Sequence, residues 1–175
     1  EVACGGVCVD GGHLTAELYR ENLRFRYEKH EESKHSYLER KAKPYKAFRT
    51  TNFFYHKSVL EQVPYNEKVK GYGYEDVLLG KTLGEKKIKV NHIDNPVAYT
   101  EFEKNQIYLR KIEEALSTLH AFEGELNDYS PILHARNILG KLHLLGPFRK
   151  FHALCKGWEL MNLCSNKPSL FIFKL

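Results

Sequence analysis

Short strand-like segments alternate with helical segments over the first 123 residues, and this alternation constrains the fold more than any other feature of the sequence. The strand-like segments are rich in Val, Ile and aromatic residues, and the helical segments place apolar residues three or four positions apart. Alternating strands and helices are typical of α/β proteins. We therefore predict an α/β fold followed by a C-terminal helical tail.

Within this alternation, apolar and β-branched runs predict three strands, at residues 2–9, 47–56 and 87–92, and Asn95-Pro96 is predicted to turn the chain into residues 97–99. A polar helix, or a helix followed by a mobile loop, is predicted over 14–43, and further helices over 57–62, 75–83 and 101–123. Residues 124–131 are predicted to be a linker. The linker separates a body, residues 1–126, from a tail, residues 127–175.

The composition is that of a folded domain, since 42% of the 175 residues are hydrophobic and 28% are charged. A chain of this length can bury a core without disulfides or a structural metal. Charged residues interrupt every apolar run before it reaches the roughly 18 residues that a membrane-spanning helix needs. The chain begins at Glu1 without Met or a leader segment, so we expect it to be part of a longer protein.

Positive charge is concentrated in the tail. Residues 129–175 contain seven Lys or Arg and the single acid Glu159, a net charge of +6, whereas residues 1–128 carry a net charge of −1. The cations alternate with Leu, Phe and Trp, a composition that suits an anionic membrane surface. Residues 133–163 are therefore predicted either to contact a membrane peripherally or to form an amphipathic helix packed on the body. No recognition motif accompanies the charge, which disfavours nucleic-acid binding.

The cysteines and histidines have no metal-binding spacing. We predict that the cysteines are reduced thiols, which favours an intracellular location; they are Cys4, Cys8, Cys155 and Cys164. The sequence contains no phosphate-binding Gly-x-x-x-x-Gly-Lys loop, no Gly-x-Ser-x-Gly elbow and no Cys-x-x-Cys pair. The residues alone therefore predict no metal site.

The segment Gly71-Tyr72-Gly73-Tyr74-Glu75-Asp76 is the strongest chemical signal, because it brings two carboxylates to the start of a predicted helix. A carboxylate in that position can accept a proton or orient a hydroxyl group. Aromatic faces next to hydrogen-bond acceptors suit sugar rings, which have apolar C–H faces and polar hydroxyls. The alternative is that the acids only stabilise the helix start and the tyrosines only pack.

Six segments, in order, resemble the second half of the family 2 glycosyltransferases with a GT-A fold, in particular the enzymes with which Bacteroidetes-type bacteria build surface polysaccharides. They are residues 2–9, Leu23-Arg24-Phe25-Arg26-Tyr27, Thr50-Thr51-Asn52-Phe53, Gly71 to Asp76, Ile93-Asp94-Asn95-Pro96-Val97 and Asn166-Lys167-Pro168-Ser169-Leu170. The resemblance implies a partial GT-A mixed sheet with helices.

The resemblance also implies a reaction and residue roles. The reaction is an inverting transfer from a nucleotide sugar to a glycan or lipid-linked acceptor, with Asp76 as the general base and Glu75 positioning the acceptor. Tyr72 and Tyr74 are expected to contact the acceptor, and Gly73 gives the chain room to turn. Gly5 and Gly6 are expected beside the donor sugar, and Arg49 and Asn52 near the cleft.

Two departures from the family pattern concern the divalent metal, Mg²⁺ or Mn²⁺, that the resemblance implies. The family's Asp-x-Asp motif, which binds this metal and the diphosphate, is expected upstream of Glu1, so the isolated chain is expected to bind donor poorly. Many relatives have a His after the Asn-Pro-Val turn, where this chain has Ala98 and Tyr99. His92 is the nearest substitute, although a lone His at a strand end is more often a packed residue.

The resemblance places the activity in the cytoplasm, at the inner face of the cytoplasmic membrane, where the basic tail would dock. A second hypothesis is a non-catalytic carbohydrate-binding or scaffold fragment that retains the cleft around Tyr72 and Asp76. Because half of a sheet would leave an edge unpaired, self-association of the isolated chain is also expected.

Overall fold

The computed structural model describes residues 1–174 as a mixed α/β fold in which helices predominate. Five strands of three residues each are present: β1 Val2–Cys4, β2 Val7–Val9, β3 Phe53–Tyr55, β4 Val90–His92 and β5 Val97–Tyr99. The helices of the body are α1 Thr15–Glu21, α2 Leu23–Glu31, α3 Tyr37–Ala42, α4 Lys57–Gln62, α5 Glu75–Glu85, α6 Asn105–Ala121 and α7 Glu123–Leu126. The tail contains α8 Pro131–Lys141, α9 Leu145–Leu163 and α10 Leu170–Phe173.

The strands form two small sheets. In the first, β1 lies between β3 and β4, antiparallel to β3 and parallel to β4. In the second, β2 pairs in parallel with β5. The α/β class is therefore confirmed, and the first sheet is mixed.

The single strand predicted over residues 2–9 is wrong, because the glycine pair divides it. Gly6 has a φ of +83°, a left-handed conformation that a strand cannot continue through. The chain leaves the first sheet after Cys4 and joins β5 from Val7 onward. The Gly5–Gly6 turn is thus the point where the two sheets meet.

Other boundaries also differ from prediction. The strand predicted over 47–56 is reduced to β3, and the one over 87–92 to β4, because Lys87 has a left-handed φ of 56° after α5. Residues 14–43 form three short helices, α1 to α3. The predicted helices at 57–62, 75–83 and 101–123 correspond to α4, α5 and α6 and are confirmed with shifted ends.

One buried cluster joins the first sheet to α4 and α5. Its members include Val2 at 1% exposure and Leu83 at 2%. Burial of apolar side chains of this size contributes about 1.5–3 kcal/mol each, so this cluster holds α5, and therefore the start of α5, against the sheet.

The tail shares two further clusters with the body. Leu133 of α8 packs with Leu78, Leu119 and Leu126, and Leu163 of α9 packs with residues of α2 and α6. Leu126 is 0% exposed, so the predicted linker at 124–131 contains a packed helical turn, α7. No helix within residues 1–174 combines the length and apolar character needed to cross a membrane.

Candidate functional site

The loop that precedes α5 lies directly on α6. The Tyr72 backbone N–H donates to Glu114 Oε1 at 2.9 Å, and the Thr118 hydroxyl donates to the Tyr72 carbonyl at 3.1 Å. A Cβ on Gly73 would lie 2.7 Å from Ala115 Cβ, so only glycine fits this approach. Two side chains of α6 therefore bind the backbone N–H and the backbone carbonyl of Tyr72.

Glu75 and Asp76 begin α5 in different environments. Glu75 is exposed, whereas Asp76 is half-buried and its Oδ1 accepts the Val77 N–H at 2.7 Å. Burial raises the pKa of Asp76, and the Arg49 guanidinium opposes this rise, while the Glu75 carboxylate adds to it. A carboxylate with a raised pKa takes a proton more readily than a solvated one, which suits a general base.

Arg49 interacts with Asp76 and with a half-buried histidine, His35. Its Nη2 donates to His35 Nε2 at 3.1 Å. Burial and the positive charge of Arg49 lower the pKa of His35 to about 4, so this histidine is neutral at pH 7 and accepts the hydrogen bond. Arg49 forms no ion pair within 4.0 Å among residues 1–174. Its guanidinium nitrogens therefore lie more than 4.0 Å from the Asp76 carboxylate oxygens and act on the pKa of Asp76 through space.

A small cavity of about 40 Å³, here called the inner cavity, lies beside the Gly5–Gly6 turn. It brings together three residues predicted for the site, Gly6, Arg49 and Asn52. Its wall also includes Glu28, Glu32, His35, Arg40 and His92. A volume of this size accommodates water rather than a sugar ring.

Hydrogen bonds already occupy the side-chain nitrogen of Asn52. This nitrogen donates to the carbonyls of Gly6 and Asn95, each at 2.9 Å, and the Asn52 carbonyl accepts the Gly5 N–H at 3.0 Å. A Cβ on Gly5 would overlap the Asn52 side chain. Asn52 therefore connects the Gly5–Gly6 turn to the Asn95–Pro96 turn by hydrogen bonds. In this arrangement Gly5 and Asn52 have a structural role beside the inner cavity.

A larger cavity of about 530 Å³, here called the tyrosine cleft, lies on the α6 side of the 71–74 loop. Tyr27, Tyr74 and Tyr108 line it, together with Ile132, Phe173 and Lys174 of the tail. Burial raises the pKa of all three tyrosines, so their hydroxyls stay protonated and can donate hydrogen bonds. Aromatic faces combined with hydroxyl donors match the chemistry of a sugar.

Tyr72 lies at the edge of a second aromatic group. Its ring is 41% exposed, and Lys111 Nζ lies 5.5 Å from the ring centroid. The nearby Arg24 guanidinium stacks 4.4 Å from the Tyr99 ring centroid and forms an ion pair with Glu103 at 2.5 Å. Tyr99 therefore takes part in packing, in the place where the family pattern has a histidine.

His92 is buried against a neighbouring turn. Its Nε2 lies 2.9 Å from the Pro44 carbonyl and so donates to it, and Nδ1 has no partner among residues 1–174. Within these residues, no three His, Cys, Asp or Glu side chains are grouped as a metal ion requires. The divalent cation, whose ligands the resemblance places mostly outside this chain, therefore stays a prediction.

Sequence reasoning missed several residues of this region. Tyr27, Glu28 and Tyr108 come from the apolar or mixed faces of α2 and α6, and His35 follows α2 in a short 3₁₀ turn. Nothing in their spacing separates them from packing residues.

All four cysteines are free, as predicted.

Comparison of the chain with protein-family models, with curated proteins and with solved structures finds no match in any of the three.

Proposed function

We propose that this chain supplies the acceptor side and the general base of an inverting glycosyl transfer, as in family 2 glycosyltransferases with a GT-A fold. The observation that carries the proposal is Asp76, a half-buried carboxyl with a raised pKa at the start of α5, next to Arg49 and the tyrosine-lined loop. Carboxyl groups with perturbed pKa values are typical of catalytic sites.

In the proposed reaction, Asp76 takes the proton of an acceptor hydroxyl as that oxygen attacks the anomeric carbon of a nucleotide-activated sugar. The new bond joins the acceptor oxygen to the anomeric carbon, and the bond to the nucleotide diphosphate breaks on the opposite face, which inverts the configuration. Tyr72 and Tyr74 contact the acceptor sugar, and Glu75 orients it from the exposed side.

The acceptor is proposed to be a glycan or a lipid-linked sugar, at the inner face of the cytoplasmic membrane. Three observations fit this class: aromatic faces, phenolic hydroxyl donors and a cleft of about 530 Å³. Recognition of the donor nucleotide and the divalent metal is assigned to residues outside this chain.

The test compares Asp76→Asn with Glu75→Gln. In a complete enzyme that contains this chain, transfer is measured from radiolabelled nucleotide sugars to a panel of glycan and lipid-linked acceptors. We expect Asp76→Asn to lower the rate by about 10²- to 10⁴-fold and Glu75→Gln to lower it less, because only Asp76 takes the proton. A well-folded Asp76→Asn protein with full activity would exclude Asp76 as the base.

A stability measurement distinguishes loss of the base from loss of the fold. Since burial raises the pKa of Asp76, the ionised form destabilises the folded state, and stability falls as pH rises through that pKa. Asp76→Asn removes this effect, so its unfolding free energy in urea at pH 7 should equal or exceed that of the unchanged protein.

The tyrosine cleft also favours a second candidate, carbohydrate binding without catalysis. Glycan binding measured without nucleotide sugar should be saturable and should be lost in Tyr74→Ala, because Tyr74 belongs to the loop and lines the cleft. Tyr19→Ala is the control, because Tyr19 is 51% exposed on α1 and lies outside the loop. Binding without transfer in a complete enzyme that contains this chain would favour this candidate over the enzyme.

A further inference from the structure

Helix α9 exposes an apolar stripe to solvent. Phe151, Leu154, Trp158 and Met161 follow one another at intervals of three or four residues and therefore share one side of the helix. Their exposures are 63%, 86%, 58% and 71%. Phe148, one turn earlier and 43% exposed, extends this surface, which is called the α9 stripe below.

The stripe is free because α9 is attached mainly through its ends. Leu163 is its one buried residue, in the cluster that includes Leu23 and Tyr108. At its other end, α9 follows α8 after a short turn. The predicted alternative, an amphipathic helix whose apolar side packs on the body, therefore does not describe the middle of α9.

One exposed cation borders the stripe. At 100° per residue, Lys150 lies about 20° from Met161, directly beside the stripe, whereas Arg149 and Lys156 lie on the other side of α9. All three are exposed, and none of them forms an ion pair within 4.0 Å among residues 1–174. The one acid of residues 129–175, Glu159, is partnered by His152 at 3.3 Å.

We infer that the α9 stripe docks on an anionic lipid surface, with α9 lying in the plane of the interface. An apolar stripe bordered by the unpaired cation Lys150 matches a surface with hydrocarbon beneath negatively charged headgroups. Trp158 lies in the middle of the stripe, and tryptophan is enriched at membrane interfaces. Residues 129–175 carry a net charge of +6, which favours a negatively charged surface over a second copy of the chain with the same charge.

This inference stands independently of glycosyl transfer, and its test needs no sugar. The probe is vesicles with about 30% phosphatidylglycerol in phosphatidylcholine, compared with phosphatidylcholine alone, at roughly 0.1 M salt. Trp158 is the single tryptophan of the chain, so its emission reports on the stripe directly. We expect a blue shift and co-sedimentation with the anionic vesicles, both reduced at about 0.5 M salt.

Matched variants separate the stripe from other exposed apolar residues. Leu154→Ser should weaken binding by about tenfold, since a leucine side chain no longer enters the lipid. Leu38→Ser is the control, because Leu38 is 73% exposed on α3, outside the stripe, and its loss should not change binding. Lys150→Gln should weaken binding by roughly fivefold on anionic vesicles only.

Three outcomes would overturn the inference. The first is no binding to anionic vesicles by the folded protein. The second is an equal loss of binding in Leu154→Ser and Leu38→Ser. The third is a concentration-dependent blue shift without lipid, accompanied by a dimer in size-exclusion chromatography, which would assign the stripe to a second copy of the chain.

Discussion

Replacing Gly6 with alanine should destabilise the protein in two separable ways. Gly6 has a φ of +83°, and a Cβ there would overlap the guanidinium of Arg40. Arg40 is 6% exposed, and its Nη2 donates to the carbonyls of Gly5 at 3.0 Å and Ile93 at 2.9 Å. The substitution therefore strains the backbone and also displaces the cation that joins the turn to the end of β4.

The two contributions have different magnitudes. An alanine with a left-handed backbone conformation costs about 1 kcal/mol of folding free energy. This figure already includes the stability gained because alanine restricts the unfolded chain more than glycine does. Hydrogen bonds from a charged donor contribute about 1.5–3 kcal/mol each, so displacing Arg40 from two carbonyls adds about 3–6 kcal/mol. We expect Gly6→Ala to lower the unfolding free energy by about 4–7 kcal/mol, measured by urea denaturation followed by circular dichroism.

Gly12 provides a matched control. It is also left-handed, with a φ of +54°, but a Cβ there meets nothing within 4 Å, so Gly12→Ala should cost only about 1 kcal/mol. In an Arg40→Ala background, Gly6→Ala should cost no more than Gly12→Ala does. An equal cost of Gly6→Ala with and without Arg40 would refute the reasoning.

Two further predictions concern the tail junction and pH. Leu126→Ala should lower the unfolding free energy by about 2–5 kcal/mol, whereas Gly124→Ala, whose Cβ would lie in open space, should not; similar small effects at both would indicate an unpacked linker. Because the pKa of His35 is lowered from 6.5 to about 4, its contribution to stability is present above pH 6.5 and is lost as pH falls to about 4. His35→Gln should flatten this pH dependence in urea titrations, and an unchanged slope would contradict the assignment.

Local sequence patterns predicted the helices well. The helix α6 repeats apolar residues on one face over 17 residues, and α5 begins at two acids, so periodicity and end signals agree with each other. The strands were predicted less well. Each has three residues, and the pattern at 47–56 has no feature that restricts pairing to Phe53–Tyr55, since pairing partners are distant in sequence.

The candidate site also combines residues that are close in sequence, which could be predicted, with residues that only the fold brings together, which could not. Tyr72 and Asp76 belong to one continuous segment, so their proximity could be predicted from the sequence. His35 meets Arg49, and Tyr27 meets Tyr108, only through tertiary packing, which residue spacing does not encode. The same limit applies to the tail, where the sequence predicted an apolar side on the helix but left open whether the body covers it.

The two parallel ladders place a constraint on chain length between them. Val2 pairs with Val90 and Val7 pairs with Val97, so five residues along the first segment correspond to seven along the second. The two extra residues lie in the 93–96 turn, where the Asn95 carbonyl accepts a hydrogen bond from the Asn52 side chain. A residue inserted in this turn is therefore expected either to break that hydrogen bond or to shift β5, and Tyr99 with it, along β2.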